Sequence, residues 1–108
     1  MKIELAKEIV ATYEKHGWNL RRVLITPAAR AEEPQIVEAF PQATIVNSEI
    51  DALWFSRPSH GGREAWEVRL VAEQPYALFE AFEVDDEEED REAARRELEN
   101  KLRGYASG

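Results

Sequence analysis

Cysteine is absent from this 108-residue chain, which excludes disulfides, thiol catalysis and thiolate metal sites. Histidine occurs only at His16 and His60. They show no His-x-x-x-His or similar spacing, so neither a metal site nor a cofactor is expected. Long apolar runs are missing as well. No segment approaches the roughly 20 residues needed to cross a bilayer. The opening Met1–Glu8 interleaves charge with apolar residues, unlike a signal peptide. A cytoplasmic protein with no membrane partner is the expectation.

Positive charge is the scarcer sign. Fourteen Lys and Arg stand against 22 Asp and Glu, for a net charge of −8. The excess is uneven: residues 73–108 hold 5 basic against 12 acidic side chains, whereas residues 1–72 hold 9 against 10. A chain of this charge repels phosphate backbones, so nucleic acid is not an expected partner. There is no internal repeat, low-complexity linker or second domain, and residues 1–108 are read as one domain.

A hydrophobic fraction of 44% that includes three Trp, three Tyr and four Phe is enough for a real core. Ile3, Ala6, Ile9, Val10 and Tyr13 recur at helical spacing. They predict an amphipathic helix over about 3–16, closed by Gly17. Leu20–Thr26 reads as a strand stopped by Pro27. Pro34 is placed to open a short helix carrying Ile36, Val37 and Phe40, and Ala43–Val46 reads as a short strand. Strands near 50–57, 63–72 and 76–84 form a meander. Asp85 opens a final helix that runs to about Arg103 and stops at Gly104. The predicted fold is α+β: a two-layer sandwich in which an antiparallel meander of three to five strands carries the N- and C-terminal helices on one face.

The richest stretch is Ile50–Leu70, two apolar runs folded about Pro58-Ser59-His60-Gly61-Gly62. Pairing Arg57 with Arg63 puts Trp54 opposite Trp66 on a core face. The same register sets Asp51 opposite Arg69 as an ion pair. The other face then carries Leu53 and Phe55. A four-residue turn to the third strand adds Leu78 and Phe82 beside them. That register is preferred because the alternative buries Glu80 next to Val68. Leu53, Phe55, Leu78 and Phe82 together have the composition of a partner or dimer surface, unless residues 27–48 pack over it.

Three constellations invite chemistry. Arg57, His60, Arg63 and the Gly61-Gly62 backbone offer an anion a guanidinium fork and turn amides, so these three side chains are candidate ligand-binding residues. The sober alternative is a polar turn in which glycine supplies positive φ. Asp51 with Glu67-Val68-Arg69 is similar in order to the metal-binding signature of restriction-endonuclease-like folds, where carboxylates hold Mg²⁺ and a Lys orients water. It departs from that pattern in having Arg for Lys, no Pro-Asp turn and an acidic chain. The run Asp85–Asp90 lacks the spacing of a Ca²⁺ loop and suits a helix start, with Arg91, Arg95, Arg96, Lys101 and Arg103 completing the dipole arrangement. The apolar stripe of that helix, Ala94, Leu98, Leu102 and Tyr105, is narrow.

No catalytic residue is assigned. The expected function is a non-enzymatic binding or protein-interaction module with a protein partner or a second copy of itself. An anion binder at the hairpin tip is the alternative, and a metal-dependent nuclease a remote one.

Overall fold

A computed structural model describes residues 1–107. Its elements follow in the order α1 (Ile3–Lys15), β1 (Asn19–Ile25), α2 (Pro27–Glu32), α3 (Ile36–Ala39), β2 (Thr44–Asn47), β3 (Ala52–Pro58), β4 (Glu64–Leu70), β5 (Ala77–Phe82) and α4 (Glu88–Ser107). The fold is α+β, as its alternation of helical and strand periodicities predicts. One five-stranded sheet runs β2-β1-β3-β4-β5. Four of its strands are antiparallel neighbours, while β2 lies parallel to β1 at the edge. No helix among the described residues is long and apolar enough to cross a membrane.

The segment after β1 explains the parallel edge. Thr26 caps α2 by accepting the Ala29 N–H at 3.2 Å, and Pro27 occupies the first turn, where its missing N–H costs nothing. The two short helices then return the chain to the start of β1. A parallel neighbour becomes possible only through such a crossover.

The sheet is covered on both sides. Ala6, Ile9 and Val10 of α1 pack with Val23, Leu53 and Phe55, joined by Ala29, Ile36 and Phe40 from residues 27–48. On the opposite face Leu102, with Leu98 and Ala94, packs against Trp54, Trp66, Val68 and Phe82. The terminal helices therefore sit on opposite faces, because β3 is apolar on both: Ala52 through Phe55 are each fully buried. Such a strand needs a layer on either side. α4 also runs past Gly104, which remains helical. Its last turn is held by Tyr105, stacked on Tyr76 with ring centroids 3.7 Å apart.

The hairpin register is shifted from its expected value. Ser59-His60-Gly61-Gly62-Arg63 forms the loop, with a 3₁₀ turn at His60–Gly62 and the Ser59 N–H donating to the Arg63 carbonyl at 2.8 Å. Gly61 and Gly62 both take positive φ, +69° and +78°, which a side chain would resist. Trp54 consequently faces Val68, and Trp66 faces Ser56. The tryptophans meet diagonally, edge to face, with centroids 6.0 Å apart. They stay on one face because a shift of two residues preserves the pleat.

The same shift separates Asp51 from Arg69, whose partner is Leu53. Asp51 instead accepts the Thr26 N–H at 3.0 Å. In β5, Val68 faces Leu78 and Trp66 faces Glu80, so Leu78, Glu80 and Phe82 lie on the tryptophan face. Glu80 avoids burial because β5 is the edge strand and its side chain reaches solvent.

Candidate functional site

β1 places Arg21 and Arg22 at a sheet position where a bulge interrupts its pairing with β3 between Leu20 and Arg22. From α4, Arg91 and Arg95 come down one turn apart toward the same place. The four guanidinium groups, with Gln42, Thr44, Glu64, Trp66 and Glu88, line a polar cleft of about 460 Å³. Trp66 forms its floor. Arg95 stacks 3.9 Å above the Trp66 ring, and Arg21 and Arg22 lie 5.1 and 5.7 Å from it. Cations gather there because an indole face attracts positive charge and desolvation strengthens the attraction.

Arg95 is the unusual member. It is 2% exposed, and arginine is seldom buried without partners. One of its terminal nitrogens donates to Glu88 at 2.7 Å and to Glu92 at 2.9 Å. Its Nε is buried with no acceptor, an orphan donor that costs free energy where it stands. Arg22 makes a two-pronged contact with Glu92 at 3.2 and 2.9 Å, and Arg91 lies 3.8 Å from Glu64. Among the described residues Arg21 donates only to the Ser56 hydroxyl, at 3.1 Å.

The carboxylates feel this field. Hydrogen bonding to Arg22, reinforced by Arg95, holds Glu92 below the ordinary glutamate range against the opposing effect of burial. The Arg95 hydrogen bond likewise lowers Glu88. Glu88 is the loosest partner: it is the first residue of α4, and its side chain is 71% exposed. Four arginines thus meet three glutamates, leaving a local positive surplus in a chain of net charge −8.

The residues singled out from the sequence are distributed differently. Arg57 lies 4.5 Å over the Trp18 ring and donates to the His16 carbonyl at 3.0 Å. Arg57 and His60 border one shallow depression with Gly17 and Ser59, but Arg63 turns away to bind Glu83 at 2.8 Å. The hairpin tip therefore brings together two of the three. Leu53 and Phe55 are fully buried, with Tyr13 stacked on Phe55 at 4.0 Å. Leu78 and Phe82 belong to the opposite face, under α4. The patch expected from these four residues does not form, because α1 and residues 27–48 cover the first pair and the β5 register removes the second.

Asp51 and Glu67 share a face but stand four residues apart along it, roughly 13 Å, too far to bind one metal ion. Glu67 accepts instead from the Tyr13 hydroxyl. Burial, then the Glu67 hydrogen bond and its negative charge, push the Tyr13 phenol well above its ordinary value. Among the described residues no three His, Asp or Glu side chains are grouped to hold a metal.

The arginine cleft was hidden in the sequence. Arg21-Arg22 reads as an unremarkable strand pair, and Arg91 and Arg95 read as dipole complement. One signal was present: Arg95 falls between Ala94 and Leu98 on the apolar stripe of α4, where a charge is out of place.

Fold and site together define a small α+β protein with a polar, arginine-lined cleft between its sheet and its last helix. No family model, curated protein or solved structure matches the chain.

Proposed function

We propose that this protein is a small binding module that takes an oxyanion ligand, a phosphate or a carboxylate, in the cleft between β1, β4 and α4. The observation behind this reading is the convergence of Arg21, Arg22, Arg91 and Arg95 on one cavity, with Arg95 buried and its Nε lacking an acceptor. Guanidinium groups bind carboxylate and phosphate in two-pronged fashion. Among the described residues Arg21 has no carboxylate partner. Displacing the exposed Glu88 side chain exchanges one anionic partner of Arg95 for another and leaves no buried charge unpaired. Catalysis is not part of the proposal, since the carboxylates that line the cleft, Glu64 and Glu88, are engaged with Arg91 and Arg95.

The test is a titration of the full chain with inorganic phosphate and, separately, succinate. Trp66 fluorescence and the Nε–Hε NMR signals of the arginines would be followed. Saturable shifts centred on Arg95 and Arg21, lost in Arg21→Ala, support the reading. Unchanged arginine signals with both anions overturn it. Shifts confined to the Ser59–Arg63 amides would overturn it in favour of the hairpin tip, where Arg57 and His60 offer weaker, solvent-exposed anion contacts.

A further inference from the structure

We propose that β5 is a self-association edge, at which a second copy of this chain adds its own β5 antiparallel to make a continuous ten-stranded sheet. The inference is independent of the arginine cleft.

β5 closes the sheet on one side. The Leu70 N–H donates to the Tyr76 carbonyl. Alternation along an antiparallel ladder then assigns the backbone groups of Leu78, Glu80 and Phe82 to β4. Those of Ala77, Phe79 and Ala81 point outward, unpaired. Edge strands ordinarily discourage pairing with lysine, proline or a bulge. Ala77–Phe82 has none of these; Phe79 is 62% exposed, and Ala77 and Ala81 flank it on the same face.

The strand is complementary to itself in one register. Pairing Phe79 with the second copy's Phe79 sets each Ala77 against the second copy's Ala81, and all three outward residues exchange both hydrogen bonds. A shift of two residues in one direction puts Glu80 against Glu80, and like charges directly opposed are unfavourable. A shift in the other direction brings Pro75, which has no N–H to give, against Ala81.

The helices above agree with this register. α4 lies over β4 and β5, and strands are about 4.8 Å apart. A two-fold axis beside β5 therefore leaves the two α4 helices roughly 10 Å apart, close to the packing distance of a helix pair. The groove between β5 and α4, lined by Glu80, Ala94, Glu97, Leu98 and Lys101, becomes the seam. Because Glu97 and Lys101 are one turn apart on helices that the axis runs antiparallel, each Glu97 meets the second copy's Lys101. Charge of opposite sign thus closes the seam that the strands begin.

Sedimentation of the full chain at about 200 μM, a concentration suited to a small interface, should show a dimer. Phe79→Glu and Ala81→Pro should give monomers with unchanged circular dichroism. Neither position donates to β4, and Phe79→Glu disturbs no buried side chain. Since the chain lacks cysteine, Phe79→Cys should form a covalent dimer under mild oxidation: residues facing one another in a hydrogen-bonded pair stand about 5.5 Å apart, within disulfide reach. Glu80→Cys should not. A wild-type monomer throughout, a dimer that survives Phe79→Glu, or cross-linking through Glu80→Cys in place of Phe79→Cys each overturns the proposal.

Discussion

The Arg95 guanidinium lies 3.9 Å above the Trp66 ring and 5.3 Å from that of Phe82, so a buried charge rests on two aromatic rings of the core. This contact joins α4 to the sheet at the place where the helix has few apolar residues to offer. It also brings the cation into the cleft. One side chain therefore serves packing and electrostatics together, and the two contributions are separable.

Arg95→Met separates them. Its removal leaves no buried carboxylate stranded, because Glu92 keeps Arg22 and the Glu88 side chain is largely in water. Methionine retains apolar contact with Trp66 and abolishes the orphan Nε. The expected loss is the cation–π contribution, about 1–2 kcal/mol, in urea denaturation. Leu102→Ala, at a fully buried position on the same helix, should cost about 2–5 kcal/mol. A loss from Arg95→Met as large as that from Leu102→Ala would show that the ion pairs, not the apolar stripe, hold α4 down.

Acid should loosen this helix. Glu88 and Glu92 titrate below their ordinary value of 4.5 in the folded chain. A depressed carboxylate contributes stability that is fully present above its unfolded value and is lost as pH falls through the folded one. The melting temperature is thus expected to hold from pH 7 to about 5 and to fall below 4.5 on account of these two groups. Glu92→Gln should melt lower at pH 7 and show a shallower acid decline. An acid limb identical to wild type would remove Glu92 from the account.

Much of this architecture was legible in the chain, and the reasons differ by element. α1 was readable because its apolar positions repeat at 3.6 residues and Gly17 ends it with φ +85°. The meander was readable because β3, β4 and β5 are apolar and bounded by turns. What was lost was lost at turns. A five-residue loop with two positive-φ glycines moved Trp54 from opposite Trp66 to opposite Val68, and with it Asp51 away from Arg69. Local sequence does not set such a register by itself; the turn geometry does. The parallel placement of β2 depends on the return path through α2 and α3, a long-range fact. The cleft was least legible, since its arginines are distant in sequence and each has an ordinary local explanation.

Alkali should act through Tyr13. Its hydroxyl is bonded to Glu67, and its phenol is raised above the usual value of 10 by burial and by that carboxylate. Above pH 10 the unfolded chain releases this proton while the folded chain keeps it. Stability accordingly falls as pH rises through that region. Tyr13→Phe should lower stability at pH 7 by about 1 kcal/mol, the net contribution of a hydrogen bond to half-buried Glu67. It should also flatten the alkaline decline above pH 10, followed by tyrosinate absorbance and circular dichroism together. Equal alkaline slopes in the two proteins would dissociate Tyr13 from that limb.

Two glycines give substitutions of opposite sign. Gly62 has φ +78°, and an alanine Cβ there would sit 3.6 Å from Val84, an ordinary contact. The obstacle is therefore backbone strain alone, about 1–2 kcal/mol for an L-residue in the left-handed region. Gly104 is helical within α4, and nothing lies within 4 Å of an added Cβ. Gly104→Ala relieves the entropic handicap of a helical glycine and should stabilise by about 0.5–1 kcal/mol. The pair tests whether α4 continues past Gly104 to Ser107. If the chain instead stopped at Gly104 with that residue as a left-handed cap, Gly104→Ala would destabilise as Gly62→Ala does. Thermal melts of the two variants beside wild type decide between these outcomes by sign alone.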